Sequence, residues 1–342
     1  MTSFPQFASD NWSGLCPEAL EYLIRANGGS APAYGFDEWT ARAADAFREL
    51  FEHDAEVFFA FNGTAANSMA LAHLCQPYQA IVCHAWSHIE TDECGAPGFF
   101  SHGARLLLGQ GDEGKLSLDS ARRLMRGEGD LRFPRPAALS LTQSTEVGTV
   151  YTVEELTALC AWAKSRGMKV HVDGARFMNA VAALGVSPAE LSWRCGVDVM
   201  SLGASKTGGG IGDTVLFFNR ELVAGFDYRC KQGGQLAAKM RLMAAPLLGL
   251  IETGAWLRNA RQANDRAAAL EARLAASGIQ PAFPRQANAV FIRLTAAEAS
   301  DLRGRGWPFH VSDCHGAARF MCGWDTTLES IEALVSDMEA CR

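Results

Sequence analysis

Short apolar runs punctuate the chain from Ala55 to Phe218, and amphipathic stretches of helical period lie between them. Ala55–Phe61, Ala80–Cys83, Arg105–Leu108, Ala137–Leu141, Lys169–Val172, Val197–Leu202 and Thr214–Phe218 each have the length and apolar content of a buried strand. Thr64–Leu74 is predicted as the helix after the first strand. Thr152-Val153-Glu154-Glu155 fits a capping box opening a helix over Val153–Ser165, because the Thr hydroxyl and Glu carboxylate can each satisfy the other's free backbone N–H. Upstream, Pro17–Ala26 and Asp37–His53 are predicted helices. Ala43, Ala46, Phe47 and Leu50 share one face of the second, and Asn27-Gly28-Gly29-Ser30 ends the first. Buried strands alternating with helices imply an α/β fold, a mostly parallel sheet covered on both faces.

After about residue 245 the pattern changes. A long helical stretch, Ala260–Ala276, leads to strands at Ala289–Leu294 and Ala318–Cys322 and a closing helix over Asp325–Cys341. This predicts a smaller α+β C-terminal domain. The division is an N-terminal arm (1–30), a large domain (31–245) and a small domain (246–342), with a hinge near Pro246. A chain of 342 residues with 48% hydrophobic content suits two packed domains sharing a cleft.

The formal charge of −7 argues against a nucleic-acid-binding face. Apolar runs such as Ala244–Ile251 carry Pro or Gly and are too short to span a bilayer. Met1–Asp10 has neither the basic start nor the apolar core of a secretion signal. The ten cysteines are scattered, without a CxxC pair, and Cys314-His315 has no second ligand pair at zinc spacing. The expectation is a cytoplasmic protein with free thiols, no metal site, and neither nucleic acid nor membrane as partner.

Four strand ends carry candidate chemistry. His171-Val172-Asp173-Gly174-Ala175-Arg176 puts a carboxylate at the C-terminal end of an apolar strand, where open α/β sheets place ligand groups. A lone Asp there is more often a helix cap. One β-α unit later, Val199–Gly203 runs into Ala204-Ser205-Lys206-Thr207-Gly208-Gly209-Gly210, a lysine in a small-residue loop. Together they supply what pyridoxal phosphate (PLP) requires, an amine for a Schiff base and an acid that keeps the ring nitrogen protonated. Phe61-Asn62-Gly63-Thr64 turns a strand into a helix whose N-terminus could receive a phosphate, although it is neither a Walker loop nor GxGxxG. After the strand Ala80–Cys83, an aromatic residue of His84-Ala85-Trp86-Ser87-His88 could stack on a ring.

From Ser9 to about residue 330 the order of these parts resembles the low-specificity L-threonine aldolases among the fold type I PLP enzymes. The resemblance rests on Ser9-Asp10, Tyr34-Gly35-x-Asp37, Gly63-Thr64-x-Ala66-Asn67, His88, His171–Arg176, Ser205-Lys206, Asn288 and Arg319. It implies that Lys206 forms the Schiff base, Asp173 pairs with the ring nitrogen, His88 stacks on the ring, and Gly63, Thr64 and Ser205 bind the cofactor. Ser9, Arg176 and Arg319 would hold the substrate carboxylate, with His88, directly or through water, as the base for the β-hydroxyl. Lys231 and Tyr34 would serve a neighbouring subunit's site, which implies a homodimer or homotetramer with shared active sites. The implied reaction is cleavage of L-β-hydroxy-α-amino acids (L-threonine, L-allo-threonine, L-phenylserine) to glycine and an aldehyde.

Two segments depart from the family pattern. Asp10-Asn11 replaces Asp-Thr, and Thr142-Gln143-Ser144-Thr145-Glu146 replaces Glu-Asn-Thr-His, which leaves the general base open. Asp92-Glu93-Cys94-Gly95 and Thr145-Glu146-Val147-Gly148 resemble the branch that includes phenylserine aldolases. On the same scaffold, β-elimination, transamination, racemisation and a non-catalytic binding role remain alternatives. A NAD-type Rossmann enzyme is disfavoured by the missing glycine fingerprint.

Overall fold

A computed structural model of the chain describes residues 6–127 and 129–342. Seven strands form the central sheet: β1 Glu56–Ala60, β2 Gln79–His84, β3 Arg105–Gly109, β4 Arg135–Thr142, β5 Lys169–Gly174, β6 Val199–Leu202 and β7 Asp213–Phe217, in the order β1-β7-β6-β5-β4-β2-β3. From β6 to β3 all neighbours pair parallel, while β7 is antiparallel to both β6 and β1. The reversal has a simple cause. The link from Leu202 to Asp213 is too short for the crossover a parallel partner requires, so the chain returns antiparallel. Lys206 lies in that link.

Thr142, Asp173 and Ser201 sit in register across β4, β5 and β6, so these strands end along one edge. The direction of winding changes between β2 and β4, the kind of switch point that opens a crevice at the carboxyl ends of strands. The helix Val153–Ser165 carries the capping box expected from sequence, with Thr152 and Glu155 bonded reciprocally.

A second sheet, β8 Ala289–Ile292, β9 His310–Val311 and β10 Ala318–Met321, is antiparallel in the order β8-β10-β9. Its apolar cluster includes Ala267, Leu270 and Leu274 of the long helix Ala255–Ala276 and Ile331, Leu334 and Val335 of Leu328–Ala340. The first half of the long helix, around Trp256 and Ala260, belongs instead to the core of the large sheet. Pro246 is buried inside the helix Arg241–Glu252, whose Ala244, Ala245 and Leu248 join the same core as Ala19, Ala43 and Phe47, so the hinge expected there is not an exposed linker. The N-terminal segment ties the two sheets together. Phe7 is fully buried in the small-sheet cluster and its carbonyl accepts from Met321 N, while Cys16 N donates to Gly208 O in the Lys206 loop.

Candidate active site

Asp173 ends β5, and every part of it is held. Its Oδ1 accepts from Ala175 N (3.0 Å), its Oδ2 from Asn67 Nδ2 (3.0 Å), and its carbonyl from Gln143 N (2.8 Å). Asn67 lies on the helix Gly63–Leu74 and also donates to Glu93 Oε1 (2.8 Å), which in turn receives His88 Nδ1 (2.8 Å). The other ring nitrogen of His88 is 3.5 Å from Asp92 Oδ2. Burial alone would lower the His88 pKa, but the Glu93 bond and the charges of Glu146 and Asp173 raise it to about 9, which makes the ring an imidazolium at neutral pH. His88, Glu93 and Asp173 offer atoms within 4.8 Å of one another, a spacing that could also hold a cation. The Asn67 amide already bridges the two carboxylates as a donor, so this cluster reads as a hydrogen-bonded relay.

Lys206 sits in the single 3-10 turn Ser205–Thr207 that follows β6. Burial first, and then the Arg176 guanidinium, lower its pKa, with Asp10, Asp173 and Asp213 opposing. A lowered pKa leaves more of the amine neutral and nucleophilic. Asp213 opens β7 and steadies the loop from below, accepting from Ala204 N (3.2 Å) with Ser205 Oγ at 3.5 Å. Its carboxylate also faces the turn at Gly63, where a Cβ would come within 3.5 Å of Oδ2. Asn62 caps that turn through Ala65 N (2.9 Å), and Gly63 and Thr64 carry the remaining first-turn N–H groups, an anion cradle.

Two of the three groups expected to hold a substrate carboxylate are already engaged. The Ser9 hydroxyl accepts from Asn11 N (3.1 Å) as a helix cap. Arg176 is gripped through both fork positions by buried Asp10, with Nε to Oδ2 at 2.8 Å and Nη2 to Oδ1 at 2.9 Å, and Asn288 Nδ2 adds a bond to Oδ2 (3.1 Å). Arg319 on β10 is different. Its Nη2 donates to Ala8 O (3.2 Å), but its buried Nε has no partner among the described residues. It lines a cavity of about 490 Å³ with Trp86, Glu146, Phe291, His310 and His315. A larger cavity, about 890 Å³, lies at the opposite strand ends near Arg105, Arg135 and Met168, away from this chemistry.

The Asp10–Arg176 pair yields a stability prediction. Burial would raise the Asp10 pKa, but Arg176 wins and lowers it to about 2 from an ordinary 3.8. A depressed carboxylate contributes stability that is present above pH 3.8 and lost as pH falls towards 2. Asp10→Asn leaves Arg176 buried without its counter-charge, at a cost of about 3–5 kcal/mol. Thermal melts should show the variant well below wild type at pH 7, with the gap shrinking near pH 3. An unchanged melting temperature at pH 7 would show that the pair contributes nothing to the fold.

Lys231 Nζ lies 4.7 Å above the ring of Tyr34, so the two residues expected to serve a neighbouring subunit share one patch. Tyr34, Phe36 and Tyr228 are all exposed there or close by in sequence. Sequence reasoning passed over Glu93, Asn67 and Asp213 as site groups. Glu93 carried no local signal, since its burial shows only in the fold, and neither did Asp213.

The chain matches the Beta-eliminating lyase family over residues 6–297. It is 54% identical to the low specificity L-threonine aldolase of Pseudomonas aeruginosa over 335 residues, covering 97% of this chain and 96% of that protein. Identity to the low specificity L-threonine aldolase of a Pseudomonas species is 51%, covering 98% and 97%. The fold superposes on the threonine aldolase of Leishmania major with a TM-score of 0.91 over 98% of both chains, at 27% identity. These likenesses show that the chain belongs to the low-specificity L-threonine aldolases, PLP-dependent carbon–carbon lyases of fold type I.

Proposed function

We propose that this chain cleaves L-threonine, L-allo-threonine and L-phenylserine to glycine and the corresponding aldehyde. The observation that carries the reading is an enclosed amine (Lys206) and a fully bonded carboxylate (Asp173) gathered around the Asp10–Arg176 pair, with an arginine of unpartnered edge (Arg319) acting on the same pair. The residues fit PLP. Lys206 would hold its aldehyde, Asp173 its ring nitrogen, His88 its ring face, and Gly63, Thr64 and Ser205 its phosphate, with Lys231 and Tyr34 completing a neighbouring subunit's site. Buried Glu93 Oε2 and Asn67 Oδ1, both without partners among the described residues, leave acceptors free on the side of the relay. When bound, PLP supplies an electron sink for the pair left at the substrate's Cα.

The protein's part is orientation. The Arg319 fork binds the substrate carboxylate, and Arg176, fixed by Asp10, sets the Ser9–Asn11 turn beside it. Trp86, Phe291 and His315 give the adjoining cavity aromatic walls, which supports acceptance of an aryl side chain. The exposed patch around Tyr34 supports a shared-site dimer or tetramer. Ten free cysteines support a reducing, cytoplasmic setting, and no described helix is long and apolar enough to cross a membrane.

The test is to incubate each L-β-hydroxy amino acid with enzyme and PLP and quantify glycine, aldehyde, ammonia and 2-oxo acid together. Glycine and aldehyde should appear in equal amounts, with D-isomers turned over poorly. Ammonia and 2-oxobutanoate as main products from L-threonine would make this an eliminating enzyme, and no turnover would favour a binding role.

A further inference from the structure

We propose that Glu146 is the catalytic residue that takes the β-hydroxyl proton of the substrate. The inference rests on the aldol-cleavage reading above and names the base that reading requires.

The position of Glu146 is fixed by the fold. It follows β4, the strand beside the one that ends in Asp173, and lies in a tight turn in which Thr145 N bonds Thr149 O and Gly148 N bonds Thr145 O. Thr145 Oγ1 meets Thr149 Oγ1 at 2.7 Å, and the latter hydroxyl donates to Glu113 O, so the turn is anchored on its inner side. Thr145 and Val147 are buried, while Glu146 between them is half-buried and lines the cavity that Arg319 and Trp86 also line. Its charge acts on His88, Arg176 and Arg319, the three cations of the crevice. Among the described residues no group donates a hydrogen bond to its carboxylate.

The other bases near the crevice are either engaged or, like Asp313, exposed to solvent. Both ring nitrogens of His88 face carboxylates, Glu93 at 2.8 Å and Asp92 at 3.5 Å, so neither presents a free lone pair. Asp92 is engaged by that contact, and Glu93 Oε1 by His88 and Asn67. A substrate whose carboxylate is held by Arg319 extends its side chain into the same cavity, where Asp92 and Asp313 are exposed to solvent and Glu146 is the half-buried carboxylate.

The step balances. The hydroxyl proton passes to a Glu146 carboxylate oxygen, and the O–H pair becomes the second C–O bond of the aldehyde. The Cα–Cβ bond breaks with its pair remaining on Cα, and a proton later added at Cα gives glycine. A positioned base of this kind contributes about 10²- to 10⁴-fold.

The experiment compares wild-type holoenzyme with Glu146→Gln and Glu146→Asp. It measures aldehyde release from L-threonine and L-phenylserine, exchange of the glycine α-hydrogen in D₂O by NMR, and PLP affinity. Glycine has no β-hydroxyl, so its exchange does not call on this base. Glu146→Gln should lose about 100- to 10,000-fold in cleavage kcat while exchange and PLP affinity stay within about threefold, and Glu146→Asp should recover at least part of the loss. The proposal falls if the Gln variant cleaves at near wild-type rate, if exchange falls in parallel with cleavage, or if Asp is no better than Gln. Absence of aldehyde from wild type would instead overturn the aldol-cleavage reading itself.

Discussion

Lys206→Ala is expected to reduce turnover by on the order of 10⁴-fold or more, because it removes the amine proposed to hold the cofactor. The alternatives are poorly placed. Lys115 is paired with Glu155 at 2.8 Å, Lys164 lies 3.5 Å from Asp198, and Lys231 rests on Tyr34 at the surface. The enclosed Lys206 amine and its neighbouring guanidinium both act to lower its pKa, which leaves more of the amine neutral and nucleophilic. The substitution removes a buried amine in a loop pinned by Asp213 through Ala204 N, so the fold should survive with little change in melting temperature. Borohydride treatment followed by peptide mapping reads the attachment directly. Wild type should carry reduced cofactor on Lys206, and the alanine variant should carry none. A variant that turns over normally with cofactor fixed to another lysine would remove Lys206 from the chemistry.

The parts of this molecule legible in its sequence are those with a local physical cause. β3 was expected over Arg105–Leu108 and runs Arg105–Gly109, and β6, fully buried, lies inside the run read as Val197–Leu202. In β6, burial on both faces leaves a continuous apolar signature. The Thr152 capping box was readable because its partners are three residues apart. The two-residue strand β9 was not, having too few positions to show a period. Pro246 lies inside a helix rather than in an exposed linker. Proline in a helix forfeits one backbone bond, and here the packed interior tolerates the loss. The state of Arg176 was invisible, since Asp10 lies 166 residues away and no local pattern encodes the pair. A motif can nominate an arginine, but only tertiary packing shows whether its fork is free.

Asp173→Asn should fold and lose at least about 100-fold in kcat, since each pKa unit lost on the cofactor's ring nitrogen forfeits about 1.4 kcal/mol and several units are at stake in a buried site. The local bonds explain why an amide cannot stand in. Asp173 Oδ1 accepts from Ala175 N and Oδ2 from Asn67 Nδ2, so both oxygens already receive donors from the protein. Asparagine keeps one acceptor and turns an NH₂ group towards the other donor. Meeting Asn67 that way places two donors face to face. Rotating the Asn67 amide relieves this clash but turns its oxygen onto Glu93 Oε1, which now accepts from the same NH₂. Either arrangement disturbs the relay to His88, and neither supplies the negative charge that holds a proton on the ring nitrogen. The disturbance has a readout independent of turnover. Because the charge of Asp173 is one cause of the raised His88 pKa, the variant's His88 should titrate below about 9, measurable from its ring-proton NMR shifts. A well-folded Asp173→Asn enzyme with wild-type kcat and an unmoved His88 titration would contradict both assignments, because the carboxylate would then be coupled neither to the chemistry nor to the relay.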